Sequence, residues 1–268
     1  MQIGIICPTG FLEHFASQSN YHLVLAHMVR KDRDYKEFYR KASTHGDYIT
    51  LDNSSCEIGD DVFTPEQLVD FARDVGAKEV MAPETAFDAD STIDKVREFM
   101  KVTKYIRGSI KVFGTLHGSA MGDIIRCHNN LVGLGVDTIG ISFRIQPKPM
   151  KDFVRHPNKT VDTSLARVQA IMRLEPFMKE SIRYHLLGIV DPKELLYYYY
   201  NKFIKSVDSS CAYVSGITGK LCDDAWFEKP KEKLDFSNKY ISGYSLKRVH
   251  FNIQILKKLA RNEMEGTE

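Results

Sequence analysis

Residues 47–84 read DYITLDNSSCEIGDDVFTPEQLVDFARDVGAKEVMAPE, and this one stretch holds a strand, a helix and a second strand in succession. The run 47–52 is short, apolar and β-branched. From Pro65 to Val75 the residues Leu68, Val69, Phe71, Ala72 and Val75 share one face at helical spacing. Thr64-Pro65-Glu66-Gln67 opens that helix with an N-cap hydroxyl, a proline at the first helical position and a glutamine at the third, a capping box. The run 78–84 is the second strand. Outward from this unit, similar runs occur at 3–8, 111–118, 137–143 and 184–190, and Thr92 to Tyr105 has helical spacing through Ile93, Val96, Phe99, Met100 and Val102. Strand then helix, repeated at roughly 30-residue intervals, specifies successive βα units and a parallel sheet. A doubly wound open sheet would bring a GxGxxG turn after its first strand, and Pro8-Thr9-Gly10 does not supply one. The expected fold is therefore α/β, a (β/α)8 TIM-type barrel, and 268 residues suffice for one such domain.

Residues 1–268 are read as a single domain. A polar insertion is expected near 222–244 and an amphipathic helix over 246–264. Hydrophobic residues make up 43% and charged residues 27%, so the chain can bury a sizeable core and is not disordered. A formal charge of +2 gives no global argument for a polyanion partner, so any nucleic-acid surface must be local. The candidates are Arg144, Lys148, Lys151, Arg155 and Lys159 in one stretch, and Lys229 through Lys233 with Lys239, Lys247 and Arg248 in another, although a solvated face is the commoner meaning of such runs. Five cysteines, odd in number and without a CxxC pair, fit a reducing compartment. No window approaches the roughly 18 apolar residues of a membrane span. A cytoplasmic protein is expected, with no membrane partner. Four consecutive aromatics, Tyr197 to Tyr200, would spread around a helix, leaving at least one buried and one exposed.

In a parallel barrel the active site lies at the C-terminal ends of the strands. Those ends carry Asp52, Glu84, His117-Gly118, Ser142, Gly188 and Asp208. Carboxylates, an imidazole and close-approach glycines together suit a small polar heterocycle. Taken in order, LDNSSCE (51–57), EVMAPET (79–85), VFGTLHGS (112–119), GLGVDTIGIS (133–142), YHLLGIVDPKELL (184–196) and VDSSCAY (207–213) resemble the segments of the tRNA-guanine transglycosylase superfamily, over about residues 45 to 260. The compact phage-type branch that places 7-deazaguanines in DNA is the most similar, which would put the protein in a host cytoplasm if it is phage-encoded.

The resemblance implies a pentosyltransferase that swaps guanine for a 7-deazaguanine. Asp208 would attack C1′ of the target nucleoside and expel guanine, and Asp52 would take a proton from the incoming base. A carboxylate nucleophile and double displacement suit an oxocarbenium-like centre, as in retaining glycosidases. Glu84 would accept hydrogen bonds from the base's N–H groups. His117 and the Gly118 amide would face its carbonyl, with Ser142, Leu187 and Gly188 also lining the pocket. The implied partners are DNA, with tRNA as the alternative polymer, and a free base such as preQ0; a homodimer stays open. No cofactor is expected.

The departures from the family pattern are specific. Its glycines after the first aspartate are Ser54 and Ser55 here, its pocket glutamine is His117, and its Gly-Gly pair reads Ile141-Ser142. Its zinc-binding CxCxxC segment is missing, leaving Cys222 and His250, too few ligands for a closed tetrahedral site, so structural zinc is expected to be absent. Two other classes stand beside base exchange: a hydrolase or lyase using Asp52 and Glu84 as a metal or acid/base pair, and a catalytically silent nucleic-acid-binding barrel. Taken singly, Asp52 and Asp208 could each be a helix cap or turn residue, Glu84 a salt-bridge partner of a nearby Lys or Arg, and Cys56 a small packed residue.

Overall fold

The computed structural model describes residues 1–59, 62–105, 109–145, 153–225 and 227–261. Its strands are β1 (Gln2–Ile5), β2 (Tyr21–Leu25), β3 (Tyr48–Asp52), β4 (Glu79–Met81), β5 (Lys111–Thr115), β6 (Thr138–Ser142), β7 (Arg183–Leu187) and β8 (Ile204–Ser209). The helices are α1 (Ala26–Lys31), α2 (Arg33–Thr44), α3 (Ser55–Ile58), α4 (Pro65–Asp74), α5 (Ala89–Val102), α6 (Met121–Leu134), α7 (Lys159–Leu174), α8 (Cys211–Ile217) and α9 (Gly243–Arg261). All strand pairings are parallel and run β1-β8-β7-β6-β5-β4-β3-β2, a nearly closed (β/α)8 barrel. No backbone ladder joins β1 to β2. Hydroxyls lace that seam instead: Ser19 Oγ donates to the Ile3 carbonyl and accepts from the Tyr21 N–H at 3.2 Å.

The capping box read at the start of α4 is present. Thr64 Oγ1 accepts from the Gln67 N–H, and Gln67 Oε1 accepts from the Thr64 N–H. Asp32, Asp88 and Asn158 cap α2, α5 and α7 in the same manner, each satisfying amides that the first turn leaves without partners. The sequence reading missed β2, whose YHLVL run is buried throughout, and it began α5 three residues late. The helix read over 246–264 is α9, whose described part ends at Arg261. Of the tyrosine run, Tyr198 is buried while Tyr197, Tyr199 and Tyr200 are exposed. No helix among the described residues is long and apolar enough to cross a membrane.

Strand residues alternate between the helical jacket and the barrel interior. Outward-facing residues such as Val80, Val112, Ile139, Leu186 and Val207 join the large core beneath the helices. The interior is layered. Its floor is polar, with Tyr21, Thr50, Glu79, Thr138, His185 and Ser206 all buried. Above it lies a small separate apolar plug of Leu23, Met81 and Phe113, flanked by Ile6 and Leu187. Gly140 makes room for that plug: a Cβ there would stand 2.4 Å from the Phe113 ring and 2.8 Å from Leu187. Leu187 borders open space, but Phe113 is fully buried and has little room to yield, so Gly140→Ala is expected to cost roughly 1 to 3 kcal/mol through overpacking. A urea unfolding midpoint equal to that of the wild type would contradict this.

Candidate active site

Above the plug, the C-terminal ends of the strands open into a cavity of about 670 Å³. Asp52, Glu84, His117, Gly118, Ser142, Leu187, Gly188 and Asp208, all named from sequence, line it together. Arg144 also reaches its rim. Lys148 and Lys151 lie outside the described residues. Arg155 does not line the cavity and is committed to Asp162 through two hydrogen bonds. Lys247 and Arg248 sit on α9 away from the lining, and the Arg248 guanidinium donates to the Gly216 carbonyl at 3.0 Å.

Asp208 points up from the end of β8 and is 5% exposed. Its Oδ1 accepts from His185 Nε2 and from the Gly188 N–H, both at 3.0 Å. Oδ2 has no hydrogen-bond partner among the described residues. The helix-capping alternative for this residue fails, because Ser209 Oγ takes the Cys211 amide instead. Gly188 can present its N–H because it adopts a left-handed φ of 67° beside the Phe143 ring, where a Cβ would meet an aromatic carbon at 2.9 Å.

His185 is itself held from below. Its Nδ1 lies 3.0 Å from Tyr21 Oη and 2.8 Å from Ser206 Oγ. Because Nε2 faces the Asp208 carboxylate it carries the ring proton, which leaves the Nδ1 lone pair to accept from the hydroxyls below. The chain continues through Thr50, which lies 3.4 Å from Tyr21 Oη and donates to Glu79 Oε2 at 2.8 Å; Thr138 donates to the other oxygen of Glu79. The sequence reading missed His185, Tyr21 and Glu79. A signal was present: in β7 and β8, His185 and Ser206 are polar residues with the same parity as Leu187 and Asp208, hence on the barrel's inner face.

Asp52 ends β3, and its Oδ1 accepts from the Ser54 N–H. The turn role foreseen as an alternative is thus real and uses one oxygen. Ser54 occupies the left-handed region at φ 63°, so it keeps a glycine-like backbone where the resembling family has glycine. Its Oγ accepts from the His27 N–H at 3.2 Å. Ser55, the second departure, donates to Glu84 Oε1 at 2.5 Å.

Glu84 is 7% exposed, and its Oε2 lies 3.1 Å from His117 Nε2. The contact is badly angled, leaving both buried atoms without a well-formed hydrogen bond. The Phe87 N–H donates to His117 Nδ1 at 3.1 Å, which leaves the ring proton on Nε2. Burial pushes Glu84 up, but His117 and Ser55 outweigh it and hold the carboxyl below its ordinary range. Among the described residues no Lys or Arg forms the salt bridge to Glu84 considered from sequence, and Lys95 Nζ donates to the Glu84 backbone carbonyl. Phe87, 57% exposed and at φ 64°, is a strained aromatic at the mouth that the sequence reading passed over. Cys56 is held as a protonated thiol by desolvation and then by the Asp52 charge.

Desolvation raises Asp52 well above the usual aspartate range, and the charges of Glu57, Glu84 and Asp208 add to it. The folded protein therefore keeps this proton at pH values where the unfolded chain has lost it. Stability falls as pH rises from the ordinary value near 4 through the raised one, and the loss is complete above both. Asp52→Asn retains an acceptor for the Ser54 N–H and removes the charge. It is expected to melt higher than the wild type near neutral pH, with the difference closing as pH falls toward about 4. A melting difference independent of pH would refute this.

Among the described residues, no group of three or more His, Cys, Asp or Glu side chains is arranged to hold a metal ion. Cys222 is buried with its N–H donated to Asn252, and His250 pairs with Gln18 against the Phe15 ring. No family model matches the chain, and no curated protein matches it in sequence.

Proposed function

We propose that this barrel exchanges guanine for a 7-deazaguanine base of the preQ0 type in DNA, through a covalent aspartyl-sugar intermediate on Asp208. The observation that carries this reading is the asymmetry of Asp208: two N–H donors fix Oδ1, and Oδ2 is left without a partner in a cavity that also holds Asp52 and Glu84. A carboxylate oriented in this way suits attack on an anomeric carbon. In the first step the C1′–Oδ2 bond forms, the bond from C1′ to guanine N9 breaks, and protonated Asp52 gives its proton to N9 of the departing guanine, which leaves Asp52 ionised. In the second, Asp52 takes the N9 proton of the incoming base, N9 attacks C1′ and Asp208 leaves, so two inversions retain configuration. The raised proton affinity of Asp52 suits it to that transfer.

The pair of Glu84 and His117 supports base recognition. Guanine and 7-deazaguanines both present N–H donors beside a carbonyl along the pyrimidine edge. An acceptor carboxylate beside an imidazole Nε2–H is complementary to that edge, and both atoms lack a well-formed partner among the described residues. The test is incorporation of radiolabelled guanine or a labelled 7-deazaguanine into guanine-containing DNA and, side by side, into tRNA. Incorporation into DNA is expected. Exchange on tRNA alone would move the substrate to RNA, and exchange on neither polymer would refute the reading in favour of a non-catalytic nucleic-acid-binding barrel.

A further inference from the structure

The cavity is acidic at its base and basic at its rim, and the barrel topology arranges the two separately. Glu84 follows β4 and Asp208 ends β8, four strands apart and so on opposite sides. Lys31 ends α1, directly after β2, and Arg144 follows β6, another opposed pair. Segment 229–236, KPKEKLDF, joins the two cationic sides across the mouth. At one end Lys229 stands 4.8 Å over the Phe143 ring, next to Arg144, and its N–H donates to Thr160 Oγ1 at 3.0 Å. At the other, Phe236 packs edge-on against His27 at 5.8 Å, beside Lys31. Lys231 and Lys233 lie between, and both line the cavity.

These cations are free to meet an outside anion. Among the described residues, none of Lys31, Arg144, Lys229, Lys231 and Lys233 has an ion-pair partner, whereas Lys36, Arg97, Arg126 and Lys202 elsewhere on the surface do. Two acids share the segment. Asp235 is turned to the N–H and hydroxyl of Ser237 and does not line the cavity, so Glu232 is the opposing charge on the segment itself, and the exposed Glu57, whose charge Arg144 feels, is a further acid on the cavity lining. His27 adds a second kind of observation: it is 8% exposed, lines the cavity, and its Nδ1 has no partner among the described residues.

We infer that segment 229–236, with Arg144 at one end and Lys31 and His27 at the other, is a phosphodiester track. It carries one single strand of nucleic acid across the barrel mouth, so that phosphates on either side of an extruded nucleotide rest on opposite rims while its base descends toward Glu84. The inference rests on the base-exchange reading for the occupant of the cavity, and it adds the path of the strand, which that chemistry leaves open. Extruding a base costs a few kcal/mol. Holding the phosphates on both flanks offsets that cost and fixes C1′ over Asp208.

The experiment measures binding of a fluorescent, guanine-containing single-stranded oligodeoxynucleotide by anisotropy between about 50 and 200 mM salt. The wild type is compared with Lys31→Gln/Arg144→Gln/Lys231→Gln/Lys233→Gln, whose exposed side chains carry no partner that folding needs, and with Lys247→Gln as a control off the track. Each phosphate contact on a single strand contributes about 0.7 to the slope of log affinity against log salt, so removing four should lower its magnitude by roughly 2 to 3. Lys247→Gln should leave it unchanged, as should Asp208→Asn. An unchanged slope in the quadruple variant, an equal fall in Lys247→Gln, or tighter binding to duplex than to single-stranded DNA would overturn the track. The two proposals fail separately: loss of exchange with the salt slope intact refutes base exchange, and exchange with an unaltered slope in the quadruple variant refutes the track.

Discussion

Asp208→Asn is expected to fold as the wild type does and to lose base exchange by roughly 10,000-fold or more, the scale on which removal of a covalent nucleophile acts. The substitution isolates the chemistry. An asparagine oxygen still accepts from His185 Nε2 and the Gly188 N–H, so both contacts to Oδ1 survive. What disappears is the negative charge on Oδ2, and a neutral amide does not displace a base from C1′. Two measurements check this: incorporation of labelled base, and a protein–nucleic acid adduct on denaturing gels that forms with the wild type and not with the variant. Residual exchange within about tenfold of the wild type would assign Asp208 a supporting role and require another nucleophile.

Arg167→Met should cost about 3 to 5 kcal/mol of stability, the range for breaking one partner of a buried ion pair. Arg167, on α7, is fully buried. Its Nε and one terminal nitrogen grip both oxygens of Glu194 at 2.6 and 2.9 Å, and Tyr198 Oη donates to the same carboxylate at 2.7 Å. The other terminal nitrogen donates to the carbonyls of Ile141 and Leu187, at the ends of β6 and β7 where the site begins. Truncation leaves the Glu194 carboxyl in the interior without its counter-charge and removes a donor from two carbonyls that frame Ser142 and Gly188, of which that of Leu187 keeps the Phe143 N–H. Urea denaturation reads the loss. Pairing it with Glu194→Leu should recover most of it, since the stranded charge is gone; a double variant as unstable as the single would mean that packing, not charge, dominates.

The barrel was legible because its determinants are local and periodic. The run 47–84 shows strand, capped helix and strand without reference to anything distant, and the acids at strand ends fall where such a fold puts a site. What escaped detection depends on long-range pairing. His185 looks like a stray polar residue in an apolar run until Tyr21, a residue of the missed β2, is placed 3.0 Å from it. Arg167 meets Glu194 across 27 residues, and spacing along the chain carries no trace of that contact. Ser54 and Ser55 read as departures from a glycine pair; folded, one keeps the left-handed backbone and the other anchors Glu84, so both losses of glycine are compensated locally. Residues 227–242 form no helix or strand, and the part from Lys229 to Leu234 forms a wall of the cavity, which spacing along the chain did not indicate.

The seam between β1 and β2 has a mechanical side. Going one way round the barrel, Asp208 on β8 and Asp52 on β3 are linked by five consecutive hydrogen-bonded ladders, from β8 through β7, β6, β5 and β4 to β3. The shorter way crosses the seam, where a serine hydroxyl stands in for a ladder. The gap between the two carboxylates is therefore the compliant dimension of an otherwise stiff ring. Under the base-exchange proposal, a sugar passing from one carboxylate toward a base activated by the other would be accommodated by widening there, at the cost of a side-chain contact rather than of the sheet.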